Sequence, residues 1–348
     1  MSDLLMHTNN ATLPFDALGH IFIHVTGGHP IHLRHLFFVC RSWYNAVRYH
    51  PVLWADIRID DVLDGHFDLS ASFLGSVAES YIRSCLAYSG TTLDVTVDNA
   101  FMSMGNIPLI FRTLVGEGGE HALRWRSFNW LVRINQRAII SESLSLLPRT
   151  LPCLQTLRIH GFPLDTSTSR KFPRCPQLTT VELYAHASGS GHPLQEDDCL
   201  TVKVLSFGNC TIWIPEDLVL LPLFRNIIHL TLYSMLGAAF FQTCVPMPHS
   251  QSVSLVHLKT LVLQGCVPQQ AVNALSAPSL KEVCFDDPDS IQKLRCAPFV
   301  RTIDTIRVIA RTIRKHSKLR RNWVITYDFT GFNESIYPSA AVPSIGNH

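Results

Sequence analysis

The chain has 348 residues, 47% apolar and 16% charged, and this composition excludes a chain that is mostly disordered. Lysine and arginine total 29 against 27 aspartates and glutamates, and this net charge of +2 gives no electrostatic footprint for nucleic acid or an anionic membrane. The first ten residues lack the basic and apolar regions of a secretory signal. The ten cysteines include no C-x-x-C pair, so we expect reduced thiols in a cytoplasmic or nuclear protein.

Residues 13–57 predict three short helices. Pro14 and Asp16 are typical of a first helical turn, and an apolar stripe with i, i+3, i+4, i+7 spacing follows. That stripe comprises Leu18, Ile21, Phe22 and Val25. Gly27 and Gly28 should end the first helix, a second helical pattern covers residues 33–47 over four turns, and a third apolar patch covers residues 53–57. Three short helices bury only a small core, so we expect this unit to dock on something.

This stretch resembles the F-box, the adaptor-binding module of Skp–cullin–F-box ubiquitin ligases. An LP pair, a VCRxW element and a PxLW element carry the resemblance through their spacing. The matching residues are Leu13, Pro14, Asp16, Leu18, Ile21, Phe22, Leu36, Val39, Cys40, Arg41, Trp43, Pro51, Leu53 and Trp54. The histidine-rich connector over residues 26–35 departs from the family's short polar link, and a generic three-helix bundle is the alternative.

The resemblance implies a docking surface for a Skp-type adaptor, and through it a cullin. The residues that would shape that surface are Leu13, Pro14, Leu18, Ile21, Phe22, Cys40, Trp43 and Trp54.

Further along the chain, the pattern predicts helical structure over residues 58–92, a strand over 93–97 and a helix over 107–115. A repeat then appears whose template is L-x-x-L-x-L, one buried anchor followed by a strand with two more. Seven stretches fit it: Trp125, Phe128 and Trp130; Leu154, Leu157 and Ile159; Leu178, Val181 and Leu183; Val202, Leu205 and Phe207; Ile227, Leu230 and Leu232; Leu258, Leu261 and Leu263; Leu280, Val283 and Phe285.

The second anchors of these stretches are 29, 24, 24, 25, 31 and 22 residues apart. Most steps lie in the range of about 20 to 29 residues that leucine-rich repeats use. Residues 90–330 therefore resemble an irregular leucine-rich repeat array, with a conventional α/β sheet as the alternative. We predict an α/β fold in which a three-helix F-box precedes an irregular leucine-rich-repeat solenoid of horseshoe form. The predicted boundaries are a flexible tail over 1–12, the F-box over 13–60, the solenoid over 61–334 and a second flexible tail over 335–348.

In such a repeat the anchors face the core, and the intervening strand residues line an extended concave face that suits protein recognition. Alternation puts Ser206 and Thr231 on that exposed face too. The residues predicted to bind a target protein are Arg158, His160, Glu182, Tyr184, His229, Tyr233, Gln264 and Asp286.

After the last repeat, isoleucines at 303, 306, 309 and 313 predict a helix with a basic outer face, and residues 323–329 alternate like a closing strand. The basic run over 311–321 is either a nuclear-import or phosphate-binding patch or, in the interpretation that we favour, a solvated helix face that caps the solenoid.

Motifs for phosphate binding, serine hydrolysis and zinc proteolysis are absent from the sequence. His29, His32 and His35 could bind zinc, but no carboxylate or thiolate shares their spacing, so we expect exposed connector histidines, no metal and no cofactor. We therefore predict a non-catalytic substrate receptor that holds a target protein near a ubiquitin-conjugating enzyme, without binding nucleic acid or membrane. A repeat scaffold that recruits no ligase is the alternative, and a hydrolase or transferase is a third hypothesis.

Overall fold

A computed structural model describes residues 13–60, 71–98, 106–132, 137–163, 172–187, 194–209, 221–234, 253–265, 267, 269–285, 303, 305–312 and 321–328. The chain forms two compact units. Unit 1 comprises Met1–Phe162, Ser167–Thr179 and Pro193–Asp198, and unit 2 comprises Pro163–Thr166, Thr180–His192 and Cys199–His348. The described elements are α-helices and mainly parallel strands, which confirms the predicted α/β class.

Unit 1 begins with a compact helical segment. Helix α1 (Phe15–Thr26) ends at Gly27, whose φ of 62° is the left-handed conformation that favours glycine, so the predicted helix end is confirmed. The 3₁₀ helix Pro30–Phe38, helix α2 (Arg41–Tyr49) and the 3₁₀ helix Pro51–Trp54 follow. The prediction of one helix over residues 33–47 is wrong, because Cys40 is fully extended and separates a 3₁₀ helix from an α-helix.

The strands of unit 1 pair in parallel and in chain order. Their bounds are β1 (Asp56–Ile59), β2 (Leu93–Asp98), β3 (Trp125–Leu131) and β4 (Thr156–Pro163). The helices between and after them are α3 (Ala71–Tyr88), α4 (Ile107–Val115), α5 (Arg137–Leu146) and the short α6 (Glu196–Cys199), with a 3₁₀ turn at Ala122–Arg124. The predicted strand over 93–97 and helix over 107–115 are confirmed. Sequence reasoning missed β1, whose residues it assigned to a helical patch.

The core of unit 1 is aromatic. Phe128 stacks on Trp125 with ring centroids 4.7 Å apart, and Phe111 of α4 lies 4.7 Å from Trp130. All four side chains are fully buried, as is Phe172, which stacks on Phe128 at 6.4 Å. The first predicted repeat, with its aromatic anchors, therefore folds as a strand that packs against a helix.

Unit 2 continues the same strand pattern. Its strands are β5 (Thr180–Ala187), β6 (Val204–Asn209), β7 (His229–Ser234), β8 (Val253–Ser254), β9 (Thr260–Gly265), β10 (Leu275–Ser276), β11 (Glu282–Phe285), β12 (Thr305–Thr312) and β13 (Arg321–Asp328). Helix α7 (Gln269–Asn273) and the 3₁₀ turn Leu221–Leu223 lie between them.

The main strands of unit 2 pair in parallel in the order β5, β6, β7, β9, β11 and β12. Strands β8 and β10 form a small parallel pair of their own. The repeat anchors in these strands are 0 to 4% exposed, as predicted for core positions.

The end of the described chain differs from its prediction. Residues 305–312 form strand β12 rather than a helix, and β13 pairs with it in antiparallel fashion. The helix prediction is wrong because Ile306 and Val308 pair beside Val283 and Phe285 of β11, where β-branched residues fit a sheet. The closing strand is confirmed, whereas most of the basic run and both tails lie outside the described residues.

In the part of the chain that the structure describes, no helix has both the length and the apolar character needed to cross a bilayer.

Candidate protein-binding surfaces

The helical segment over residues 13–60, which we call the N-terminal module, is held together by aromatic packing. Phe22 of α1 meets Trp43 of α2 edge to face, with ring centroids 5.0 Å apart. The Trp54 indole N–H donates to the carbonyl of Val47 at 2.7 Å. The Trp54 ring also lies 5.1 Å from that of Tyr88 in α3, so this side chain joins the module to the rest of unit 1.

The residues predicted to shape an adaptor surface fall into two groups. Leu18, Phe22 and Trp54 are buried, with 4, 1 and 5% of their surface exposed, so they can shape a surface only from beneath. Trp43 is half-buried. The remaining four are exposed to solvent: Leu13, Pro14, Ile21 and Cys40.

The residues predicted to shape the adaptor surface leave out several exposed apolar side chains of the same module. Phe38 is 89% exposed, Val25 is 67% exposed and Val39 is 55% exposed. Of the fourteen large apolar residues that are exposed among the described residues, nine lie between Leu13 and Val52. Such a concentration of exposed apolar side chains is typical of a protein-binding surface.

The connector histidines are not uniformly exposed. His29 is buried, with 5% of its surface exposed, and its Nε2 lies 3.3 Å from the carboxylate of Asp60. Its Nδ1 accepts the backbone N–H of Ile31, so Nε2 carries the proton that Asp60 accepts. The prediction of exposed histidines is therefore wrong for His29, which links the start of the 3₁₀ helix to the residue that follows β1.

A shallow cleft of about 500 Å³ in unit 1 is lined by α3, α4 and the turn that follows α4. Arg83 forms an ion pair with Glu79 at 2.6 Å. The backbone N–H groups of Glu120 itself and of Gly118 lower the pKa of Glu120, and burial lowers the pKa of His121. The charged side chains that line the cleft are therefore of both signs, and Arg83 and Glu79 are paired with each other. Among the described residues, no group of three histidines, cysteines or carboxylates is placed to hold a metal ion.

The strand face of unit 1 carries polar side chains between the buried anchors. Arg158 is exposed and His160 is half-buried, and their register partners on β3 are Asn129 and Leu131. Nearer the start of the strands, Arg126 forms an ion pair with Asp94 on the neighbouring strand. The predicted residues of this face are therefore accessible.

The strand face of unit 2 presents five of the predicted target-binding residues, all half-buried: Glu182, Tyr184, His229, Tyr233 and Gln264. Tyr184, Tyr233 and Gln264 share one row across the sheet, because each occupies the matching register position in its strand. Asp286 lies outside the described residues.

An aromatic pair forms the centre of that row. The rings of Tyr184 and Tyr233 meet edge to face, with centroids 5.3 Å apart. Gly208 lies between them on β6, and a Cβ atom there would come within 2.7 Å of Cδ1 of Tyr184 and 3.0 Å of Cβ of Tyr233. The pair can therefore close across the intervening strand only because that strand has no side chain at this position.

Beyond Glu182 on β5, the middle row of the same face consists of small side chains on β6, β7, β9 and β11. Ser206, Thr231 and Val262 are each 8% exposed, and Cys284 is 6% exposed. The prediction that Ser206 and Thr231 are exposed is wrong, because their short side chains are covered by the longer side chains of the flanking rows. The flanking row on the other side contains His229 and Glu282. Burial lowers the pKa of His229, and the nearby carboxylate of Glu282 offsets only part of this effect.

Replacing Gly208 with alanine should lower the free energy of unfolding by about 1 to 3 kcal/mol, because the new methyl group forces a tyrosine ring to move. The matched control is Gly90→Ala, since a Cβ atom at Gly90 meets its nearest neighbour, Pro51, at an ordinary 3.4 Å. Urea unfolding of both variants measures the difference. Equal stability of the two variants would contradict the close packing at Gly208.

These surfaces offer apolar and polar groups for contact with another protein. Comparison of the sequence with models of protein families and with the curated proteins finds no match.

Proposed function

We propose that this chain is a substrate-recognition subunit of a Skp–cullin–F-box type ubiquitin ligase. In this role the N-terminal module docks a Skp-type adaptor, and the repeat strands form a leucine-rich-repeat solenoid whose exposed face holds a target protein. The chain contributes proximity rather than catalysis, because it raises the effective concentration of the target near a conjugating enzyme. Such a receptor works in the cytoplasm or the nucleus.

The observation that carries the proposal is the exposure of apolar side chains in and beside the F-box-like motif. Leu13 of the LP element and Val39 and Cys40 of the VCRxW element are all exposed, although a small isolated module would gain from burying them. Ile21 and Val25, one turn apart on α1, and the nearly fully exposed Phe38 add to the same apolar surface. A partner that covers these residues would bury apolar surface that the module leaves in water.

The strand units support the second half of the proposal. The strands of each unit repeat one arrangement, in which two anchors face the core and the residues between them face the opposite side. In unit 2 that side combines the tyrosine pair with the carboxylates of Glu182 and Glu282. Aromatic residues in a polar setting are common at the energetic centres of protein interfaces.

The experiment that tests the ligase role is co-purification of the full chain with a Skp-type adaptor. The double variant Ile21→Asp with Val39→Asp places charges on exposed positions, so it should weaken the complex at least about tenfold while leaving the fold intact. Substitution at Leu18 would be a poor choice, because this side chain is buried and a carboxylate there would unfold the module.

The matched control is Leu109→Asp with Leu123→Asp, which adds the same two charges at positions 38 and 41% exposed outside the module. We expect this control to bind within about twofold of the wild type. If folded wild-type protein fails to bind the adaptor, or if both double variants weaken binding equally, the ligase proposal falls. A scaffold that recruits no ligase is then the better description.

A further inference from the structure

The start of the strands in unit 2 carries a row of matching positions. Lys203, Ile228, Lys259 and Lys281 each stand one residue before β6, β7, β9 and β11. The backbone N–H of Ile228 donates to the carbonyl of Lys203 at 2.8 Å, and the same bond recurs from Lys259 to Ile228 at 2.8 Å and from Lys281 to Lys259 at 2.9 Å. The four positions are therefore in register, on strands about 4.8 Å apart.

All charged side chains in this row are positive. The three lysines are exposed, and Arg225 is exposed in the turn before Ile228. The turn segments 200–203, 225–228, 256–259 and 278–281 contain no aspartate or glutamate. Among the described residues, none of these four cations forms an ion pair. A chain with a net charge of only +2 thus places three lysines in one register row of unit 2, with Arg225 in the turn that leads into the same row.

Apolar side chains are interleaved with the cations. Ile228 is 38% exposed and Val256 is 47% exposed, and both belong to these turns. None of the four turn segments contains phenylalanine, tyrosine or tryptophan. A surface for single-stranded nucleic acid usually combines cations with aromatic platforms on which bases stack. Cations alternating with aliphatic groups instead complement a polypeptide that alternates carboxylates with apolar side chains.

We propose that this row, which we call the lysine edge, binds an acidic segment of a partner polypeptide in which apolar residues alternate with carboxylates. The lysine edge is distinct from the strand face that carries Glu182 and Glu282, whose charge is of the opposite sign. It also belongs to unit 2, which contains none of the residues of the N-terminal module. The proposal therefore does not depend on adaptor binding.

The test is fluorescence anisotropy with the full chain and a labelled peptide of about 12 residues, built from repeats of Glu-Leu-Glu-Ser. The wild type should bind it, and raising the salt concentration from about 50 to about 300 mM should weaken binding several-fold, because the contacts are between solvated charges. The variant Lys259→Glu with Lys281→Glu should weaken binding at least about tenfold, whereas Lys259→Arg with Lys281→Arg should retain it.

The control for net charge is Arg112→Glu with Arg149→Glu, which makes the same change in charge at exposed positions of unit 1. It should bind within about twofold of the wild type. Absence of binding by the wild type, or equal weakening by both reversals, would overturn the proposal. A labelled oligothymidylate that binds more tightly than the peptide through the same two lysines would overturn it as well, and would assign the edge to nucleic acid.

Discussion

Replacing Phe128 with alanine should lower the free energy of unfolding of unit 1 by about 3 to 5 kcal/mol. The ring is fully buried, and four aromatic rings have centroids within 6.4 Å of its own. Two of them, Trp125 and Trp130, belong to the same strand, and Phe111 comes from α4. These rigid rings are anchored on separate elements and cannot collapse into the space, so the variant keeps a cavity.

Urea unfolding followed by tryptophan fluorescence measures this effect, because four of the six tryptophans belong to unit 1. The matched control is Phe38→Ala, which removes the same atoms from a side chain that is 89% exposed. The control should change the free energy of unfolding by less than about 0.5 kcal/mol. A loss of similar size in both variants would show that Phe128 is not the centre of the core.

Replacing Trp54 with alanine should cost about 3 to 5 kcal/mol and should open the N-terminal module. This side chain packs against Phe37 and Tyr88 and donates its indole N–H to the carbonyl of Val47. The substitution removes the packing and leaves a buried carbonyl oxygen without its donor. Trp54→Phe keeps an aromatic ring and loses the donor, so it should cost only about 1 to 3 kcal/mol.

Amide hydrogen exchange in residues 15–54, read beside urea unfolding, measures the opening of the module. Val52→Ala is the control, because Val52 lies in the same 3₁₀ helix and is 60% exposed. The outcome also separates two roles for Trp54. A Trp54→Ala variant that keeps wild-type stability but loses the adaptor would make Trp54 a contact residue rather than part of the core.

The repeat strands could be predicted from the sequence because their signal is local and redundant. Leu157 and Ile159 alternate with polar residues, Leu154 precedes them by three residues, and the same arrangement returns along the chain. All anchors of the seven triplets are buried, so the burial of the side chains agrees with the alternation expected of a strand.

The wrong predictions arose where the helical spacing and the strand alternation of apolar residues fit the same stretch of sequence. The isoleucines at 303, 306, 309 and 313 match a helix, but the segment TIRVIART also alternates and is rich in β-branched residues. Its pairing with β11, which is distant in sequence, decides in favour of the strand. At residues 33–47 the apolar spacing is helical throughout, yet it does not reveal that Cys40 adopts an extended conformation.

The candidate surfaces were less predictable than the fold, because exposure depends on which neighbours tertiary packing supplies. Leu18 and Ile21 lie one turn apart in the same apolar stripe, yet the former is buried and the latter is 40% exposed. Likewise, alternation places Ser206 and Tyr184 on the same side of the sheet but does not predict that the shorter side chain is covered. The row of lysines before the strands could have been found by aligning the repeats, since they share one template position.

The parallel strands of unit 2 also have a consequence for how the chain folds. Their second anchors, at residues 181, 205, 230, 261 and 283, are 24, 25, 31 and 22 residues apart, and each lies beside its successor in the sheet. Every pairing therefore closes a loop of moderate length, and the entropy of closing a loop grows only slowly with its length. Because each of these strands pairs with the strands on either side of it, damage to one strand should loosen its two neighbours first and reach distant strands last.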